Sequence, residues 1–173
     1  ESCFETAQME LLEEQKRQNA QSQMKTTMVV LELKDGKARW GHVGDSRLYQ
    51  FQKNKLIVRT LDHSVPQMLV QAGEIKEKQI RYHEDRNRLL RVMGVEWSSP
   101  QYTLADPIEQ KAGQAFLLCS DGFWELIEEK KMMALLKKSQ TVDEWVDTMA
   151  EEVKKNGVGK NMDNNTAIGV WIS

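Results

Sequence analysis

Three aspartates stand where apolar stretches give way to turns: Asp45 after Gly41-His42-Val43-Gly44, Asp121 after Leu117-Leu118-Cys119-Ser120, and Asp163 ahead of Thr166-Ala167-Ile168-Gly169-Val170-Trp171. A carboxylate delivered to the end of a buried strand is a hard oxygen donor on a rigid support. Mg²⁺ and similar cations are held by a few such carboxylates and keep several of their waters. Two such ions ~4 Å apart can hold a bridging water, lower its pKa and neutralise a phosphate. The small neighbours Gly44, Ser46, Ser120, Gly122 and Asn164 leave room for hydrated ions. Taken singly, each aspartate reads as a turn or cap residue, and Asp121 could simply cap the helix that follows it. The joint pattern favours one oxygen-lined metal site.

Other chemistries lack the residues they need. The three histidines, His42, His63 and His83, have no zinc-ligand spacing, and two cysteines are too few for a cysteine-built zinc site or a disulfide framework. His42 reads as packed, His63 as making local hydrogen bonds in a turn, and His83 as solvated. Ser46 and Ser120 have no supporting Ser-His-Asp arrangement. No phosphate-cradling G-x-x-x-x-G-K-[ST] loop occurs. Arg81, Arg86, Arg88 and Arg91 are interleaved with Glu84 and Asp85 and read as a solvated surface, with help in phosphoprotein docking as the alternative. Phe123, Trp124 and Trp145 read as core.

The elements that must position the aspartates follow from periodicity and turn chemistry. About Ser2 to Met24 reads as a helix, since Phe4, Ala7, Leu11 and Leu12 recur at helical spacing; its C-terminal half reads as solvated or frayed. Thr26–Leu33 reads as a buried strand, Lys34-Asp35-Gly36-Lys37 as a hairpin turn, and Ala38–Val43 as the returning strand. Arg47–Gln52 and Leu56–Leu61 extend this into an antiparallel meander. Val65–Ala72 reads as a short helix with Pro66 in its first turn and Gly73 closing it. Glu74–Arg91 is charged and weakly helical. Tyr102–Glu109 reads as a short strand and Phe116–Cys119 as a strand. Helices follow over Phe123–Lys137 and Val142–Lys155, and Thr166–Ile172 is the last strand. In the first of these helices the acids come early and the lysines late, as the helix dipole favours.

The bulk numbers set limits. A chain of 173 residues reads as one domain, residues 1–173, large enough for a core. With 40% hydrophobic and 29% charged residues it is of ordinary globular type, and a net charge of -2 offers no electrostatic case for nucleic acid or an anionic membrane. No apolar run approaches the ~20 residues of a membrane span. These features, with no signal-peptide pattern at the start, fit a cytoplasmic location. Strands first and flanking helices later indicate an α+β fold.

Five segments together resemble one family, the metal-dependent PPM (PP2C-type) protein phosphatases. Gly41-His42-Val43-Gly44-Asp45-Ser46-Arg47-Leu48-Tyr49 resembles their G-D-S-R segment, and Leu61-Asp62-His63-Ser64 their L-T-x-D-H-S segment. Asn87-Arg88-Leu89-Leu90-Arg91-Val92-Met93-Gly94 resembles N-x-L-x-R-x-x-G. Leu118–Trp124 and Asp163-Asn164-Asn165-Thr166 resemble the two later metal motifs. The resemblance covers about Met28 to the C-terminus and looks like a compact bacterial member. It implies a β-sandwich of two antiparallel sheets flanked by helices, and hydrolysis of phosphoserine and phosphothreonine on protein substrates by metal-activated water. It implies that Asp121 and Asp163 are core ligands of Mg²⁺ or Mn²⁺, that Asp45 helps hold a third, weaker ion, and that about Val65 to Arg86 is a flap beside the site.

One part of the family pattern is missing. No A-D-G-x-G-G loop, whose aspartate bridges two metals, occurs in the sequence, and neither does the early phosphate-gripping arginine segment. The resemblance therefore implies the C-terminal portion of such a domain, with the opening strands missing. Weak metal binding, little turnover and self-association through exposed sheet edges are the expectations that follow. A non-catalytic interaction module on the same fold is the alternative expectation.

Overall fold

The structure is a computed structural model that describes residues 2–21 and 23–173. Five α-helices and eight strands are formed among them: α1 (Ser2–Gln18), β1 (Met28–Lys34), β2 (Lys37–Val43), β3 (Arg47–Gln52), β4 (Lys55–Arg59), α2 (Val65–Gln71), a 3₁₀ helix (Glu77–Tyr82), β5 (Thr103–Leu104), β6 (Ile108–Glu109), β7 (Gln114–Cys119), α3 (Asp121–Trp124), α4 (Glu129–Lys138), α5 (Val142–Gly157) and β8 (Ala167–Ile172). They make two four-stranded sheets, one ordered β1-β2-β5 with β6 also on β2, the other β4-β3-β7-β8. The expected α+β class with two antiparallel sheets and helices is observed. No helix among the described residues is long and apolar enough to cross a membrane.

The chain divides into two compact units. The first is Glu1–Glu32, Arg39–Asp45 and Leu61–Asp106; the second is Leu33–Ala38, Ser46–Thr60 and Pro107–Ser173. In the first unit the core gathers on Phe4, Val43 and Met93, with Ala7, Leu11, Met28, Val30, Trp97, Tyr102 and Leu104 packed around them. Phe4 stacks on Tyr102 at 5.0 Å.

The polar half of α1 is more than a solvated extension. Gln15 is buried and donates to the carbonyls of Met24 and Gly94, the latter at 2.8 Å. Gln8, on the same face about two helical turns earlier, donates to the Val95 carbonyl at 2.6 Å and accepts the Gly94 N–H at 2.8 Å. Buried backbone groups outside a ladder need partners, and these amides supply them. Gly94 is required here, because its φ is +82° and a Cβ would run into the Met24 carbonyl.

In the second unit the aromatic core is built on α5. Trp145 is fully buried, meets Phe51 edge-on at 5.5 Å and donates its indole N–H to the Met132 carbonyl at 3.1 Å. Gly169 of β8 lets α5 come close, since a Cβ there would overlap Val142 and Val146.

Both tight hairpins obey their local turn chemistry. Asp35 and Gly36 have φ of +50° and +72°, and Lys53 and Asn54 have +48° and +61°, the paired left-handed residues of a type I′ turn. Four expectations are corrected. β2 and β3 are not neighbours in a meander: the chain changes sheet at Gly44-Asp45-Ser46, after a left-handed Gly44 at φ +96°. The helix expected over Phe123–Lys137 is broken between Trp124 and Glu129, because Ile127 is drawn into the core and the Leu126 carbonyl is taken by the Asn156 side chain at 2.8 Å. Glu74–Arg91 forms only the 3₁₀ helix, and Tyr102–Glu109 is two short strands on β2.

Trp145→Ala is expected to destabilise the chain by about 3–5 kcal/mol. Trp145→Phe keeps the ring contact and removes only the indole bond to Met132, whose carbonyl lies inside α4 and keeps its helical partner, for a loss of about 0.5–1.5 kcal/mol. Urea midpoints, compared at equal slope, check both.

Candidate metal centre

β7 is the strand that carries Asp121. It lies between β3 and β8, with Cys119 opposite both Arg47 and Ala167, and it is almost wholly buried. One residue further on, the pairing continues through a side chain. The Ser120 N–H donates to the Thr166 carbonyl at 3.1 Å, and the Thr166 N–H donates to the Ser120 hydroxyl at 3.1 Å. The antiparallel register therefore sets the residue after Ser120 beside the residues before Thr166.

Asp121 and Asp163 are held in the same local way. Oδ1 of Asp121 accepts the Gly122 N–H at 2.8 Å, and Oδ1 of Asp163 accepts the Asn164 N–H at 2.7 Å. Each bond fixes its carboxylate and leaves the second oxygen as the donor for a ligand. Gly122 is what lets the two segments meet. A Cβ at that position would lie 3.1 Å from the Asp163 carbonyl oxygen and would run into that of Asn164. Asp121 is half-buried and Asp163 is exposed. The structure thus brings together the segments that carry two of the three aspartates singled out in the sequence, from positions far apart along the chain.

The third, Asp45, belongs to the first unit. It is buried, at 6% exposure, directly after Gly44. A Cβ on Gly44 would overlap the Thr27 side chain, so only glycine fits before this aspartate. Among the described residues, no group of three or more His, Cys, Asp or Glu side chains is placed to hold a metal ion. The pair Asp121 and Asp163, with nearby carbonyls and water, suits a hydrated hard cation bound through one or two carboxylates. It does not make a closed protein cage.

Arg47 is the residue near this centre to which the sequence reading assigned no role. It is buried at 2% exposure. Its guanidinium lies 3.3 Å from the centroid of the Trp124 ring, donates to the Tyr49 hydroxyl at 3.1 Å and stands 3.9 Å from Glu129. The Tyr49 hydroxyl in turn donates to Glu129 at 3.3 Å. Arginine is suited to this position because its planar cation can stack and hydrogen-bond together. The signal was available: a charged residue, Arg47, opens a strand in which Leu48, Tyr49 and Phe51 are apolar or aromatic. Trp124, Phe123 and Trp145 are core, as expected.

The histidines occupy quieter positions. His42 is buried and its Nε2 meets the Leu61 carbonyl at 2.8 Å. His63 does not make the local hydrogen bonds expected of it; its ring reaches segments distant in sequence, accepting the Gly44 N–H at Nδ1 (3.2 Å) and meeting the Thr103 hydroxyl at Nε2 (2.9 Å). Burial, helped by the nearby charges of His42 and Arg91, lowers its pKa from 6.5 to about 4. His83 is half-buried and accepts the Asp85 N–H at 3.1 Å; it is not simply solvated. Of the arginine cluster, Arg88 is exposed and pairs with Asp85 at 3.8 Å, whereas Arg81 is buried rather than solvated. The tucked 3₁₀ helix carries Arg81 inward beside Ile80.

No family model matches the chain. Among curated proteins, a serine/threonine phosphatase stp of Listeria monocytogenes is 32% identical over 139 residues, which are 80% of this chain and 54% of that protein. The chain spans about half the length of such relatives. Among solved structures, the serine/threonine phosphatase Stp1 from Staphylococcus aureus superposes with a TM-score of 0.81 at 25% identity, covering 96% of this chain and 63% of that one. The catalytic domain of the serine/threonine phosphatase PstP, in complex with two manganese ions, gives a TM-score of 0.78 at 21% identity over 96% of this chain and 67% of its own. This last likeness is one of fold.

Two outcomes are expected. Gly122→Ala should force the Asp163 segment away and weaken Mn²⁺ binding while leaving far-ultraviolet circular dichroism unchanged; equal affinity would show that the two segments need not touch. Because folding disfavours the proton on His63, unfolded chains take it up more readily, so its contribution to stability is full above about pH 6.5 and is lost as the pH falls to about 4. Urea titrations above and below this window should show a smaller acid-induced loss in His63→Asn than in the unmodified chain.

Proposed function

We infer the activity from kinship: the sequence relatives of this chain are bacterial serine/threonine phosphatases, and its structural neighbours are PPM (PP2C-type) phosphatases. The proposed reaction is hydrolysis of phosphoserine and phosphothreonine on protein substrates, dependent on Mg²⁺ or Mn²⁺ and carried out in the cytoplasm. The observation that carries this reading is the close approach of the Asp121-Gly122 turn to the Asp163-Asn164 backbone, with Gly122 keeping the approach open.

In this reading the residues divide the work simply. Asp121 and Asp163 hold the cation, each with one oxygen tied to a backbone N–H and one turned to the ligand role. Arg47 and Trp124 fix the turn that bears Asp121. Asp45 contributes a further, weaker position. Divalent ions bound there would lower the pKa of a coordinated water and offset the charge of the phosphate.

A pair of carboxylates is an incomplete set for a two-metal centre, and no larger acid cluster occurs among the described residues. The chain on its own is therefore proposed to bind metal weakly and to turn over little phosphopeptide. The strands β1 and β8 lie at the ends of their sheets and expose Leu33 and Ile168, which supports self-association along these edges.

Mn²⁺ binding followed by water-proton relaxation should be weak in the unmodified chain and lost in both Asp121→Asn and Asp163→Asn. Unchanged binding in these variants would sink the metal reading. Release of phosphate from a phosphothreonine peptide with Mn²⁺ should stay near background, and brisk turnover would show that the donor set is sufficient as it stands. Light scattering should show mass rising with concentration; a strict monomer would remove the edge-pairing proposal.

A further inference from the structure

The reading above leaves His63 without a role, yet its backbone and its ring both bond Gly44, the residue before Asp45. Its backbone N–H donates to the Gly44 carbonyl at 2.9 Å, while the Gly44 N–H donates to its Nδ1 at 3.2 Å. Backbone and side chain thus grip the same residue from both sides. An Nδ1 that accepts leaves the ring proton on Nε2, from which it donates to the Thr103 hydroxyl at 2.9 Å. The ring is further held by stacking on His42, with centroids 4.5 Å apart and planes 15° from parallel.

The same residue fastens a second segment. Its carbonyl accepts the Leu90 N–H at 2.8 Å, Ser64 forms an antiparallel bridge with Leu89, and the Val65 N–H donates to the Arg88 carbonyl at 2.9 Å. These contacts close the base of the segment between Val65 and Arg86. All of them lie within the first unit.

We propose that His63 is a positioning residue: through Gly44 it sets the turn that presents Asp45, and through Leu90 it ties that turn to the base of the 65–86 segment. The proposal rests on the reading of Asp45 as a metal-binding residue. Gly44 has little freedom to compensate, for it is left-handed and pressed against Thr27 on its other side. Loss of the imidazole acceptor would free the Gly44 amide and let the carboxylate of Asp45 turn. Groups that orient a metal ligand from outside typically change affinity about 10- to 100-fold when removed.

The test uses the 173-residue chain labelled with ¹⁵N, titrated with Mn²⁺ alone, and reads the paramagnetic broadening of the Asp45 amide signal. In the unmodified chain the signal should broaden, and in Asp45→Asn this broadening should require far more Mn²⁺. In His63→Ala, half-broadening should need about tenfold more Mn²⁺. His63→Asn, whose side-chain oxygen can take the place of Nδ1 as acceptor, should recover most of the difference, and His63→Gln should not. A merely structural role would lower the melting temperature of all three variants and leave the Mn²⁺ requirement of the folded molecules unchanged.

Equal Mn²⁺ requirements in folded His63→Ala and the unmodified chain would overturn the proposal. Equal requirements in Asp45→Asn would instead overturn the reading of Asp45. Should His63→Ala fail to fold, the ¹⁵N shifts of the His63 ring in the unmodified chain decide: a protonated Nε2 and an accepting Nδ1 support the latch, and a proton on Nδ1 overturns it.

Discussion

The buried guanidinium of Arg47 is the constraint on which the candidate centre depends. Taking an unpaired charge out of water is costly, and only close, well-directed partners offset the loss. Here the partners are the face of Trp124, the Tyr49 hydroxyl and the Glu129 carboxylate. Tyr49 is on the same strand as Arg47, but Trp124 and Glu129 lie beyond the turn that bears Asp121. Satisfying the arginine therefore folds α3 back over β3. Asp121 then has little choice of position: it is tethered on one side by the ladder that ends at Cys119, and on the other by Trp124.

The first unit solves a related problem with neutral groups. The stretch between the 3₁₀ helix and β5 has only isolated bridges, so its backbone amides and carbonyls lack a regular ladder. Side chains fill the gap. Gln8 and Gln15 serve Gly94, Val95 and Met24, and His63 serves Gly44. An amide or imidazole kept neutral can be buried at modest cost when its donors and acceptors are matched. Burial of the neutral ring is why His63 resists protonation, and the matched side chains satisfy the backbone of two left-handed glycines, Gly44 and Gly94.

Much of the fold was legible because its causes are local. Asp35-Gly36 and Lys53-Asn54 specify hairpins through the backbone angles those residues accept. Thr141 caps α5 with its hydroxyl, accepting the Glu144 N–H, and the apolar spacing of that helix matches the face it buries. Asp121 and Asp163 were legible as candidates because a carboxylate at the end of an apolar run is conspicuous. The break between α3 and α4 was not legible: Glu125–Glu128 contains no glycine or proline, and the break exists because Asn156 and the core compete for Leu126 and Ile127. The change of sheet at Gly44-Asp45-Ser46 was equally hidden, since a short glycine-bearing link can join neighbours in one sheet or strands of two.

The residues alone thus specified turns, caps, most strands, and which acids were available for chemistry, all of which rest on interactions reaching only a few residues along the chain. They did not specify that the segments carrying Asp121 and Asp163 would come together, that Arg47 would hold the turn from beneath, or that His63 would grip Gly44. Those outcomes depend on strand register and on the matching of buried polar groups between distant segments. Such matches are settled by the requirement that groups removed from water find partners, a condition imposed when the chain is packed and invisible in any short stretch of it.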